Sequence, residues 1–327
     1  MKDDYNRKFC VAPMMGYTTP YARKLYRILS KKTFLFTEMI ASKSLLYSKN
    51  KDLIIENDND NPVALQVGGS EIDDLKKCSQ IAHSYNYDEI NLNVGCPSKA
   101  VQKGAFGACL MKDKYLVRNC LEALSNEKIK TSMKCRIGLG KNLNYEFFEE
   151  FIDEVVKSGI SIIYVHARNA ILSGISPKAN RSIPVLDYDF VKRIKTKYSK
   201  ITFILNGGID SMDKAKNLSK EYDGIMLGRL IQNNPFILKD VDELFFDDNK
   251  NKSIDEKIIT DYFNYINNKI DIESIYRLLS PILHIFFSVP NSKLFKIKVH
   301  EKIKEGNLVS IENLFLDFIK QKRTNLN

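Results

Sequence analysis

Eight short apolar runs recur along the first three-quarters of the chain, at residues 9–13, 33–38, 62–67, 88–94, 131–136, 161–167, 201–206 and 223–227. Runs this short, bounded by turn or polar residues, read as strands. Helical periodicity separates most of them, at 72–85, 116–125, 145–157, 188–197 and 212–220. Eight strand-then-helix units predict an α/β fold, a (β/α)8 TIM barrel. An open doubly wound sheet would want a glycine-rich fingerprint after its first strand, and residues 14–17 hold only Gly16.

The pattern breaks at residues 245–253, FFDDNKNKS. Beyond it strands stop and helices are predicted at 254–270, 275–287, 292–304 and 310–322, with Pro281 near the start of a helix and Pro290 at a turn. The expected organisation is a catalytic barrel over 1–246 and an all-helical C-terminal domain over 254–327. The opening MKDDYNRK lacks the apolar stretch of a signal peptide, and no run is long enough to span a bilayer. Six cysteines without a C-x-x-C pair or zinc spacing point to a reducing, cytoplasmic compartment and to no metal. A net charge of +10 suits a polyanion such as RNA, but a Lys- and Asn-rich chain also drifts basic without a partner.

Side chains two apart share a face of a strand. By that rule Gln66, Asn93, Lys134, His166 and Asn206 sit near the C-terminal ends of five different strands, mostly opposite an apolar face. In a closed barrel they converge at the mouth where active sites form. A lone His166 or Lys134 is unremarkable; five polar groups together need a polar ligand to satisfy them. Asn206-Gly207-Gly208 and Gly228-Arg229 follow the seventh and eighth strands, the corner where barrels bind phosphate. Cys96 stands between Gly95 and Pro97 in DEINLNVGCPSKAVQKGAFGACLM, just past a strand and close to lysines and glycines. That is a place for proton or nucleophile chemistry rather than for packing.

These residues bring a family into view. VAPMMGYT (11–18), PVALQVGG (62–69), DEINLNVGCPS (88–98), VQKGAFGACLM (101–111), MKCRIG (133–138), VHAR (165–168), LSGISPKANR (172–181), ILNGGI (204–209) and DGIMLGR (223–229) stand in family order. The chain resembles the tRNA-dihydrouridine synthases, and within them the A-type subfamily that modifies positions 20 and 20a of the D-loop. The resemblance implies an FMN enzyme, with NADPH as reductant and a C-terminal helical tRNA-binding domain. It implies that Pro13, Met14, Met15, Gln66, Lys134, His166, Asn206, Gly207, Gly208, Gly228 and Arg229 hold FMN. Cys96 would be the general acid, and Asn93, Lys178 and Arg181 would touch tRNA. Lys293 and Lys296 are further tRNA candidates, on one face of a basic helix, and a monomer is the default expectation. Two departures stand out. Gly16 and Tyr17 replace the usual acidic residue and tryptophan, in a chain without Trp, and lysines replace arginines in the helix after Pro290. A flavin barrel acting on a free dihydropyrimidine or other small molecule is the competing reading; it would not need the basic tail.

Overall fold

The computed structural model describes residues 6–125, 128–248, 255–286 and 289–324. They fall into two compact units, Phe34–Gly228 with the residues before Tyr21, and Tyr21–Thr33 with Arg229–Asn327.

The first unit is the barrel. Its strands are β1 (Phe9–Val11), β2 (Leu35–Ala41), β3 (Val63–Gly68), β4 (Glu89–Val94), β5 (Lys130–Arg136), β6 (Ile162–His166), β7 (Thr202–Asn206) and β8 (Gly224–Leu227). All neighbours run parallel, in the order β1-β8-β7-β6-β5-β4-β3-β2. Phe34 closes the ring between β1 and β2. Its N–H donates to the Phe9 carbonyl at 3.0 Å, and its own carbonyl accepts from Val11 N at 2.9 Å. Helices Ile72–Ser84, Lys114–Leu124, Tyr145–Val155, Tyr188–Lys197 and Met212–Leu218 return the chain between strands. Asp113, Asn144, Asp187 and Ser211 start four of them by accepting a first-turn amide that would otherwise lack a partner. The helix predicted over 145–157 stops at Val155 because Gly159 turns left-handed after a tight turn at Val156–Ser158.

Both faces of most barrel strands are buried, as a closed parallel sheet requires. Cys10, Phe34, Phe36, Ala64, Ile162, Tyr164, Ile204 and Met226 form one apolar cluster. Ala64, Ile162, Tyr164 and Ile204 lie on the same strand faces as Gln66, His166 and Asn206, so the polar set shares the barrel interior. At the N-terminal end of that interior Arg7 and Glu89 form a buried ion pair, Nη2 to Oε2 at 2.7 Å and Nε to Oε2 at 2.9 Å. Arg7 also donates to Tyr164 Oη at 3.2 Å and lies over the Phe34 ring.

The second unit is helical. Its longer helices are Asp255–Asn267, Ser292–Glu305 and Leu308–Thr324. Phe286, Phe295, Phe315 and Phe318 pack ring against ring with centroids 4.6–5.9 Å apart. The helix expected over 275–287 is split into Ile275–Leu279 and a tight turn at Ile282–His284, because Pro281 has no N–H to continue the ladder. Asp242 receives the Ser30 hydroxyl and the amides of Lys31 and Lys32. Residues 249–254 and 287–288, which cover most of the expected polar break and the end of that split helix, lie outside the described residues. Among the described residues no helix is long and apolar enough to cross a membrane.

Removing one partner of the buried ion pair strands the other. Arg7→Met should cost about 3–5 kcal/mol in urea unfolding, and Arg7→Met with Glu89→Leu should recover much of that loss. A single variant as stable as wild type would mean that the charges are not desolvated.

Candidate active site

β4 ends at Val94, and the chain turns at once. Asn93 sets that turn: its Oδ1 accepts the amides of Gly95 at 3.2 Å and Cys96 at 3.0 Å. The Cys96 carbonyl is held from the other side by Ala108 N at 2.9 Å. Gly107 makes that approach possible, since at φ +76 a Cβ there would lie 2.7 Å from the Cys96 carbonyl oxygen. Ser98 then caps the short helix Lys99–Lys103, and Gln102 Nε2 donates to the carbonyls of Pro97 and Leu172, both at 2.9 Å. Cys96 is thus fixed through its own backbone at the C-terminal mouth of the barrel, half-buried.

The other cysteines have different surroundings. Cys10, Cys78, Cys120 and Cys135 are buried. Burial pushes Cys78, Cys120 and Cys135 up to about 12, and Cys10 upward as well. Half-buried Cys109 points its thiol at the Phe106 carbonyl, 3.0 Å away.

The predicted polar set meets in two pairs. Asn93 Nδ2 donates to Gln66 Oε1 at 2.8 Å, and Lys134 Nζ donates to Asn206 Oδ1 at 3.0 Å. Asn206 Nδ2 in turn donates to the Met226 carbonyl at 2.7 Å. His166 stands in register with Arg136 on one side and Asn206 on the other. A Cβ at Gly207, where φ is +104, would fall 2.5 Å from the His166 ring, so glycine is required for the ring to sit there. Gly208 follows, also at positive φ. Gly228 lies under the loop after β1, with Met14 Sδ 3.3 Å from where its Cβ would be. In that loop Met14 N donates to Thr18 Oγ1 at 3.0 Å and Gly16 N donates to the Glu38 carboxylate. Pro13 and Met14 are half-buried, while Met15 and Tyr17 are exposed at 64 % and 43 %.

Arg136 was not singled out by sequence. It is buried, and it donates to the carbonyls of Gly95 at 3.1 Å, Asn169 at 2.9 Å and Asn180 at 2.9 Å. Asn180, also buried, closes the loop Ile171–Asn180 on itself through the Ile171 amide and carbonyl. Lys178 and Arg181 are exposed on that loop. Alternation in MKCRIG places Arg136 on the Lys134 face and could have found it; nothing local marks Asn180. Among the described residues no carboxylate pairs with Lys134 or Arg136. Burial, with Arg136 close by, pushes Lys134 down to about 8, and burial pushes Arg136 down to about 10 despite the nearby Cys96. A mouth with two desolvated cations and no acid to match them suits an anionic ligand.

Arg229 opens the helix Arg229–Asn233 and belongs to the helical unit. Lys293 and Lys296 lie on the helix Ser292–Glu305, with Lys293 exposed and Lys296 half-buried. Among the described residues no acidic side chain pairs with Lys293, Lys296, Lys298 or Lys304, whereas Lys302 is taken by Glu305. Phe295 and Val299 bury the opposite side of that helix.

Residues 10–309 match the family model described as dihydrouridine synthase. A tRNA-dihydrouridine(20/20a) synthase from Yersinia pestis is 38 % identical over 93 % of this chain and 89 % of its own length. One of the same name from Escherichia coli K12 is 36 % identical over 98 % of this chain and 93 % of its own. Among solved structures, histamine dehydrogenase from Rhizobium sp. 4-9 superposes with a TM-score of 0.52 at 15 % identity, covering 72 % of this chain and 45 % of that one, a likeness of fold.

Burying Lys134 should register as a pH dependence. The folded protein releases this proton near pH 8 and the unfolded chain near 10.5, so between these the unfolded state binds more protons and stability rises with pH. The penalty is complete below the lower value. Measured by urea unfolding without ligand, wild type should therefore gain on Lys134→Met as pH climbs from 8 to 10.5. A constant difference across that window would contradict a desolvated ammonium.

Proposed function

The chain belongs to the dihydrouridine synthase family and is an oxidoreductase, and from that premise we propose that it reduces the C5=C6 bond of uridine 20 or 20a in the tRNA D-loop. The observation that carries this reading is the half-buried Cys96, its turn pinned at the barrel mouth next to a desolvated Lys134 and Arg136. The names of the relatives supply the position on the tRNA.

FMN fits the unmatched positive charge of this mouth. Lys134, Gln66, His166 and Asn206 would hold it, with Pro13, Met14 and Met15 at the first loop and Gly207, Gly208 and Gly228 for its phosphate. Bound there and reduced by NADPH, it would supply the hydride that uracil accepts at C6. The chain's own task is the proton for C5. A thiol within reach of C5 can give up its proton as a general acid. Cys96 is that donor, and the Asn93 and Ala108 contacts fix where its Cβ stands. Gly16 and Tyr17, in place of an acidic residue and a tryptophan, are exposed on the loop after β1.

The target base sits in folded RNA and must be turned out to reach a barrel mouth. Lys178 and Arg181 are exposed on the loop that Arg136 ties to the Cys96 turn, so they are placed to grip the backbone near the base. In the helical unit Lys293 and Lys296 carry charge that no acidic residue matches among the described residues, and they act there as tRNA contacts.

Nucleoside mass spectrometry of tRNA from cells with and without this protein, mapped by position, tests the assignment. Dihydrouridine should vanish at position 20 or 20a; its persistence at both would refute it. Cys96→Ala should keep its flavin yet lose about 10²–10⁴-fold in dihydrouridine formation, and full turnover would remove Cys96 from the acid's role. Lys293→Ala and Lys296→Ala should each flatten the salt dependence of tRNA binding by a log–log slope of about 1. An unchanged slope would place the phosphate contacts elsewhere.

A further inference from the structure

A column of side-chain hydrogen bonds runs inside the barrel from its N-terminal end to the Cys96 turn. Glu89 takes Arg7 on one oxygen and the Ser132 hydroxyl on the other. Ser132 Oγ accepts from Asn91 Nδ2 at 2.7 Å. Asn91 Oδ1 accepts from Gln66 Nε2 at 2.7 Å, and Gln66 Oε1 accepts from Asn93 Nδ2 at 2.8 Å. That leaves Asn93 Oδ1 facing the amides of Gly95 and Cys96. Glu89, Ser132, Asn91, Gln66 and Asn93 are all at least nine-tenths buried.

The column has a direction that the carboxylate imposes from one end, in agreement with the backbone N–H groups of Gly95 and Cys96 at the other. A carboxylate only accepts, so Ser132 must give Glu89 its one proton. The serine oxygen can then only receive, so Asn91 must turn its NH₂ toward it. Asn91 therefore offers oxygen to Gln66, Gln66 offers oxygen to Asn93, and Asn93 is left with oxygen toward the loop. Flipping any one amide sets donor against donor and acceptor against acceptor with its neighbours, at buried sites where an unmade bond is costly.

We propose that Glu89, acting through Ser132, Asn91 and Gln66, is a positioning residue for Cys96: it fixes which face Asn93 presents to the Cys96 turn and so where the thiol stands. This deepens the reading of Cys96 as the proton donor and rests on it. None of the column touches the reacting atoms through Glu89 or Ser132. Their effect is transmitted as the orientation of three amides, over about 13 Å of strand.

The test reads the thiol directly. Ligand-free protein is treated with iodoacetamide, and alkylation of Cys96 is followed by peptide mass spectrometry, with buried Cys78 and Cys120 as reporters of general opening. Ser132→Ala cuts the column at its charged end. Cys96 should then alkylate about fivefold faster while Cys78 and Cys120 stay unlabelled. Turnover on tRNA should fall about tenfold in kcat with KM unchanged. Ser132→Thr keeps the hydroxyl and should return both values toward wild type. Gln66→Glu, which offers oxygen at both ends, should speed Cys96 alkylation as Ser132→Ala does. Wild-type alkylation in both Ser132→Ala and Gln66→Glu overturns the proposal. So does labelling of Cys78 and Cys120 in step with Cys96, or a threonine variant as impaired as alanine. Alkylation needs neither flavin nor tRNA. A wild-type protein inactive on tRNA would therefore end the reading of Cys96 as the acid, while the alkylation series would still report the column's hold on the turn.

Discussion

A closed parallel barrel has to fill its own axis, and in this protein much of that filling is polar. One charged pair makes this possible. Arg7 and Glu89 are buried at the N-terminal end, where Tyr164 and the Phe34 ring complete the guanidinium's surroundings. Phe34 also closes the ring of strands, so the residue that seals the barrel covers its innermost charge. From Glu89 upward each polar side chain satisfies the next, and the last of them holds the turn that carries Cys96. A buried ion pair is weak evidence for stability, since well-packed apolar residues often do as well. Its value here is that it orients a set of amides from the end opposite the Gly95 and Cys96 N–H groups.

The mouth of the barrel shows the complementary economy. The Cys96 turn is held by backbone contacts on both sides, by Arg136 at Gly95 and by Gln102 at Pro97. Arg136 and Gln102 also reach the loop after β6, at Asn169, Asn180 and Leu172, so the Cys96 turn and the loop with Lys178 and Arg181 are braced as one surface. Among the described residues no carboxylate matches the charge at this end: Lys134 and Arg136 are desolvated, which is unfavourable for the bare protein and favourable for an anion. The contrast with Arg7, whose burial is matched by Glu89, separates the structural end of the barrel from the functional one.

The helical unit solves a simpler problem. Its core is aromatic, and the helix Ser292–Glu305 spends Phe295 and Val299 on it while leaving lysines outward. Lysine gives charge without the planar fork of arginine, so a partner held there is felt as a polyanion more than as a set of bidentate contacts.

The recurrence of eight strand-then-helix units was enough to determine the barrel, and alternation the shared face of Gln66, Asn93, Lys134, His166 and Asn206, because period two is a property of the strand itself. The same rule placed Glu89 with Asn91 and Asn93, and Ser132 with Lys134 and Arg136, yet gave no reason to value them. NVGC marked Cys96 as a turn residue for equally local reasons, and Pro281 announced the break in its helix. Only the tertiary structure decided that Asn93 spends both ends of its amide inside the protein, that Arg136 clamps three carbonyls from separate loops, and that Asn180 organises its own loop. The bonds of Asn93 to Gln66 and of Arg136 to Gly95, Asn169 and Asn180 join residues tens of positions apart, which no local pattern of residues can carry.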